Sequence, residues 1–145
     1  MKKKDKQESV KIILAELDKG GYHLFLNVSV NGKKCRFLID TGASKTVIDK
    51  GYFEKNEGKK NLVALKQETA GLHSSVAESY YGKIKELKIG KHKKANFKIA
   101  AIDLSHVNNA YKKLSLPKIQ GILGSELMLE HKMIVDYGLM KIILP

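Results

Sequence analysis

The sequence predicts an all-β domain carrying two or three short helices. Apolar and polar residues alternate with a period of two over long stretches. An Asn-Gly pair separates two of those stretches, and only two segments have helix-like starts. In chain order, "VKIILAEL" (Val10 to Leu17) reads as a strand. "YHLFLNVSV" (Tyr22 to Val30) is a second, with Leu24, Leu26, Val28 and Val30 on one face and His23, Asn27 and Ser29 opposite. Asn31-Gly32 predicts a two-residue hairpin, because both residue types tolerate positive φ. The return strand "KKCRFLID" sets Cys35, Phe37 and Ile39 on one side and ends at Asp40. "YGKIKELKIG" and "ANFKIAAIDL" form a second hairpin joined by "KHKK", with Phe97, Ile99 and Ala101 alternating. "SHVNNAYKKL" predicts a helix capped by Ser105, and "GSELMLEHK" a helix capped by Ser125 with Glu126 in its first turn. "KMIVDYGLMKIILP" closes the domain as two apolar runs around the turn Asp136-Tyr137-Gly138. Each half thus contains a hairpin whose return strand ends in an aspartate, Asp40 or Asp103, a faint internal repeat.

A chain of 145 residues fits one domain large enough to bury a core. Residues 1–9 are expected to form a mobile basic tail, with the domain over 10–145. Lys11 and Glu16 interrupt the short apolar run near the start, so a signal peptide is not expected. Neither is a membrane span. The single cysteine, Cys35, excludes an internal disulfide framework and a multi-cysteine metal site, and suits a reducing, cytoplasmic setting. The net charge of +12 comes almost wholly from lysines scattered along the chain, with one arginine, Arg36. Bidentate phosphate and base recognition favours arginine, so the charge reads as a solubility feature and nucleic acid is not the expected partner.

The stretch that carries chemistry is "FLIDTGASKTVID", Phe37 to Asp49. An ionisable carboxylate ends an apolar strand, where a charge without a partner is costly. The segment "LIDTGAS" (Leu38 to Ser44) resembles the active-site loop of aspartic proteases. "GILGSELM" (Gly121 to Met128) resembles that family's apolar-apolar-Gly motif, here Ile122, Leu123 and Gly124, which supports the loop and leads into a helix. The closing hairpin "MIVDYGLMKIIL" fits as well. Together they cover roughly Tyr22 to Leu144 in the order of the retropepsin-like, single-domain branch.

The resemblance implies a closed acid-protease β-barrel working as a C2 homodimer, without metal or cofactor. Asp40 would be catalytic, in the loop Asp40, Thr41, Gly42, Ala43 and Ser44. Gly42 would allow a tight turn against the counterpart loop, and the Thr41 hydroxyl would bond across to it. Ser44 would stand near the Asp40 carboxylate. A mobile hairpin would cover the cleft, and its candidate is Lys66 to Gly82, with Ala70, Gly71, Leu72 and His73 around the tip. Relatives often carry several glycines there, whereas this chain has only Gly71 before His73.

The chemistry agrees with that reading. Two carboxylates about 3 Å apart cannot both ionise, so they share a proton and supply base and acid together. Asp136 in "IVDYG" imitates the motif, but Tyr137 cannot make a small hydroxyl's bond and the position matches the closing turn. Asp49 and Asp103 read as capping or strand-end residues. The partner carboxylate is therefore expected to be Asp40 of a second copy. The expected activity is endopeptidase cleavage of an extended peptide. The alternative is a retropepsin-fold dimerisation or peptide-binding module with little or no activity, against which the intact Asp-Thr-Gly counts.

Overall fold

The alternating segments pair into two sheets, one of which curls on itself. The computed structural model describes residues 7–65 and 79–145. Its strands are β1 (Glu8–Lys11), β2 (Ile13–Asp18), β3 (Gly21–Val30), β4 (Lys33–Ile39), β5 (Val47–Asp49), β6 (Val63–Ala64), β7 (Tyr80–Ile89), β8 (His92–Ile102), β9 (Gly121–Leu123), β10 (Ile134–Asp136) and β11 (Lys141–Leu144). Three helices join them: α1 (Lys50–Glu57), α2 (Ser105–Lys113) and α3 (Ser125–Glu130).

The larger sheet runs β2-β3-β4-β9-β5-β8-β7-β6. An additional pairing of β3 with β7, Ser29 opposite Lys88 and Val30 opposite Leu87, closes β3, β4, β9, β5, β8 and β7 into a barrel. The smaller sheet, β1-β11-β10, joins both ends of the described chain. The first hairpin follows its Asn-Gly signal, with Asn31 at φ 49° and Gly32 at φ 81°, as a primed turn requires.

Inside the barrel, Leu26, Phe37, Ile48, Phe53, Ile84, Ile99 and Leu123 are completely shielded from solvent. Each such side chain contributes about 1.5–3 kcal/mol through burial. A second core lies under α2, where Phe25, Leu104, Tyr111 and Ile119 pack together with Ala15. Phe25 belongs to the His23 face of β3, so that face is not simply polar; α2 covers its outer part. Asn108 of α2 ties this layer down, donating to the Ile119 carbonyl at 3.0 Å and accepting from the Ile119 N–H at 2.8 Å.

Several elements depart from the sequence expectation. Strand β1 begins at Glu8, so Glu8 and Ser9 are paired residues, not part of a tail; their partners are Leu144 and Ile143. The run "VKIILAEL" is two strands, because at Ile12 the chain leaves β11 and joins β3. The second hairpin turns at Gly90-Lys91, and His92 already pairs with Ile89, so most of "KHKK" is strand. Ser105 and Ser125 are first helical residues and cap nothing with their side chains; Asp103 instead accepts the Ser105 N–H at 2.8 Å. Helix α1 was not expected. It starts at Asp49, whose side chain accepts from the Tyr52 N–H at 3.1 Å and from the Leu104 N–H at 2.9 Å. Of the capping or strand-end readings, Asp49 is thus a helix cap, while Asp103 stands just past the end of β8 and α2 has no side-chain cap. The turn reading of Asp136 holds, since it accepts the Leu139 N–H at 2.8 Å.

Candidate active site

Strand β9 is inserted between β4 and β5, parallel to the first and antiparallel to the second. The segment from Asp40 to Thr46 must therefore arch over the end of β9, where Ile122, Leu123 and Gly124 lie. This puts the two motifs singled out in the sequence against each other. The Asp40 N–H donates to the Leu123 carbonyl at 3.0 Å, and the Ser125 N–H donates to the Ala43 carbonyl at 2.8 Å. The Gly124 N–H donates to Thr46 Oγ1 at 2.9 Å. A Cβ on Gly124 would stand 2.5 Å from the Lys45 carbonyl carbon and 2.8 Å from the Thr46 nitrogen. These are backbone atoms that cannot swing aside, so only glycine lets the loop sit this close.

Within the loop, Asp40 Oδ1 accepts the Gly42 N–H at 3.0 Å and the Asp40 carbonyl accepts the Ala43 N–H at 3.1 Å. Asp40 is half-buried, while Thr41, Gly42 and Ser44 are exposed. Asp40 Oδ2 has no hydrogen-bond partner among the described residues. The Ser44 hydroxyl makes no bond to the Asp40 carboxylate. Ala70, Gly71, Leu72 and His73 lie outside the described residues. The strands on either side of that segment pair, Val63 with Tyr81 and Ala64 with Tyr80, and the Leu65 N–H donates to the Ser79 carbonyl at 2.9 Å.

Two groups of residues beside the loop escaped the sequence reading. Thr46 is buried, and its backbone N–H and hydroxyl both donate to the Glu126 carboxylate, the former at 2.5 Å. Glu126 therefore joins α3 back to the loop rather than merely complementing the first turn of its helix. The second group stands on the outer face of β3 and β4. Phe25 pairs with Leu38. His23 lies two residues before Phe25 on β3, and Asp40 follows the last residue of β4. His23 Nδ1 is 2.8 Å from the Tyr111 hydroxyl, and Tyr111 packs edge-on against Phe25. Burial pushes the Tyr111 hydroxyl pKa up, an effect the Arg36 cation opposes and the Asp40 carboxylate adds to. The Asn-Gly turn alone gives the register from Val30–Lys33 to Phe25–Leu38; nothing in the sequence indicates Tyr111.

Chemically, the loop presents a single carboxylate among the described residues. It offers one rigidly based carboxylate with a free oxygen, next to an exposed threonine, at the rim of a barrel. Such a carboxylate can accept a proton from water or share one with a second carboxylate.

The fold and the clamped loop are those expected of an aspartic protease, and comparison with known proteins agrees on family and fold. An aspartyl protease family model matches residues 26–127, and the chain belongs to that family. Among solved structures, it is similar to a retropepsin-like aspartic protease from Rickettsia conorii. The TM-score is 0.59 at 21% identity, covering 96% of this chain and 92% of that one. It is also similar to the retroviral protease-like domain of Ddi1 from Leishmania major, with a TM-score of 0.51 at 15% identity, covering 85% of this chain and 94% of that one. At these identities the likeness shows the retropepsin-like fold. No protein of curated function matches.

Proposed function

We propose that the protein is an aspartic endopeptidase whose active site forms when two copies bring their Asp40 loops together. The observation that carries this reading is the loop itself. It is clamped from below through Leu123, Gly124 and Ser125, yet Asp40 Oδ2 has no hydrogen-bond partner among the described residues and Thr41 is exposed. The other described aspartates are engaged in local turns and caps: Asp18 with Lys19, Asp49 with Tyr52 and Leu104, Asp103 with Ser105, and Asp136 with Leu139. A C2 pair supplies the second carboxylate from the same loop.

In the paired site one Asp40 is ionised and its counterpart protonated. The ionised carboxylate takes a proton from a water as its oxygen bonds to the peptide carbonyl carbon. The protonated one donates to the carbonyl oxygen, giving a neutral gem-diol. Collapse of the diol returns a proton to the amide nitrogen and breaks the C–N bond. The substrate is an extended peptide held by main-chain hydrogen bonds in the manner of an added strand. A cytoplasmic, reducing setting suits the buried free thiol of Cys35.

The test is Asp40→Asn. Asn keeps the size but can neither serve as base nor share the proton, so peptide cleavage should be abolished while circular dichroism and melting stay close to the parent. Asp136→Asn should leave cleavage intact and cost at most about 1 kcal/mol of stability through its turn. Undiminished turnover by Asp40→Asn would refute the assignment.

A further inference from the structure

Arg36 is the only arginine in the chain. It stands on β4 two residues before Leu38 and four before Asp40, on the same face by strand alternation. Its guanidinium carbon lies 4.3 Å from the centroid of the Phe25 ring. Its Nε is wholly shielded and has no hydrogen-bond partner. The described ion pairs are Lys50–Glu54 and Lys94–Glu130, so no described carboxylate neutralises Arg36.

This is an unusual state for a guanidinium. Burial lowers the Arg36 pKa from its ordinary value. Arginine nevertheless keeps its proton in proteins, so it cannot shed the burden of desolvation by becoming neutral. Stacking on Phe25 satisfies one face of the group and none of its five N–H donors. A planar fork with unused donors matches a carboxylate, which can accept two parallel hydrogen bonds from it. The direction in which it leans matters. Phe25 pairs with Leu38, and Tyr111, which packs on Phe25, feels the charges of both Arg36 and Asp40. The guanidinium is thus displaced from its own Cα towards the candidate catalytic carboxylate. Strand rise is about 3.3 Å per residue, so the span from Leu38 or Arg36 to Asp40 corresponds to roughly two to four residues of an extended peptide.

We propose that Arg36 is a specificity residue that receives the carboxylate of a substrate Asp or Glu side chain close to the scissile bond. This rests on the protease reading above and deepens it by naming a substrate class, acidic peptides. In a C2 pair the subsite occurs twice, so the preference falls symmetrically on both sides of the cleaved bond. The net charge of +12 acts in the same direction, drawing acidic chains to the surface.

The test uses extended peptides blocked at both ends, so that the side chain supplies the only carboxylate. Each carries Glu, or Gln in its place, at one of the positions up to four residues from the scissile bond. Binding is measured by fluorescence anisotropy on Asp40→Asn protein, and kcat/KM on the unsubstituted protein. At one symmetric pair of positions the Glu peptide should bind about tenfold more tightly than its Gln twin, with a similar ratio in kcat/KM. Arg36→Met should bring the ratio to near one. If Arg36→Met does not fold, Arg36→Lys decides, since it keeps a charge but loses the fork: a ratio several-fold smaller supports the assignment and an unchanged ratio overturns it. A Glu-to-Gln ratio near one throughout, or one that survives Arg36→Met, overturns it as well. A Glu preference in binding with no cleavage of any peptide would remove the protease reading and leave the Arg36 subsite standing. Cleavage without that preference would do the reverse.

Discussion

Thr46 Oγ1 accepts a hydrogen bond from the Gly124 N–H at 2.9 Å while donating its own proton to the Glu126 carboxylate. One buried hydroxyl thus joins the end of the Asp40 loop to the turn that opens α3. Thr46→Val keeps the shape and removes both bonds, leaving the Gly124 N–H without its partner while the Glu126 carboxylate keeps only the Thr46 and Leu127 N–H groups. The expected loss is about 2 kcal/mol, read as a lower midpoint in urea with an unchanged slope. Because the loop it holds carries Asp40, kcat should fall with it. Parent-like stability would show that the clasp contributes nothing.

A site shared between two copies has a concentration dependence. Specific activity per protomer should decline on dilution as the Asp40 loops separate, in step with the loss of dimer seen by light scattering. Constant specific activity down into the monomeric range would exclude the shared dyad.

The proposed pair of Asp40 carboxylates would also set a pH profile. The neutral dyad loses its first proton readily, and the second leaves against the charge of the first, so two separated macroscopic values belong to the pair. Catalysis needs the singly protonated state. A plot of kcat/KM should be bell-shaped with its maximum on the acidic side of neutrality. The cationic surface favours the doubly ionised state and draws the alkaline limb lower, a shift that added salt should weaken. A rate still climbing above neutral pH, for a peptide without titrating groups, would point to another base.

A different pH effect concerns stability. Burial pushes up both the Cys35 thiol and the Tyr52 hydroxyl, which lie 3.2 Å apart inside the fold. Both groups hold their protons more tightly when folded. Their contribution is therefore complete below the unfolded values of 9.0 and 10.0, and is lost as pH rises towards the folded ones. Melting temperature should be insensitive to these groups at neutral pH and fall above about pH 9, less steeply in Cys35→Ala. The same burial predicts that Cys35 resists thiol reagents at neutral pH until the protein unfolds. Rapid labelling of the native protein would contradict it.

Much of the candidate site's geometry was legible because its signals are local. Asp-Thr-Gly and Ile122-Leu123-Gly124 are short, and each demands a particular backbone. Asn31-Gly32 fixes the register of β3 on β4 through its two positive φ angles. Asp49, Asp103 and Asp136 each accept from an N–H within three residues, so these bonds follow from neighbours in the chain, whereas the second bond of Asp49, from Leu104, does not. Helix α1 was not legible, because Phe53 is its only buried residue and leaves little apolar periodicity. The division of "VKIILAEL" between two sheets was equally hidden, since alternation is the same whichever strand accepts it.

By itself, then, the sequence determined the β class, the first hairpin and the place of the one carboxylate in its loop. These rest on φ preferences, on period-two burial and on bonds spanning a few residues. Tertiary structure alone decided what lies against that loop. Glu126 meets Thr46 across 80 positions, and His23 meets Tyr111 across 88. Such contacts arise because β9 threads between β4 and β5 and α2 folds over β3, arrangements selected by the packing of the whole core. No residue's own preference encodes them. Arg36 shows the difference most plainly: in the sequence it is one cation among 27, and in the fold it is a half-buried side chain with a shielded Nε, stacked on Phe25 without a described counter-ion.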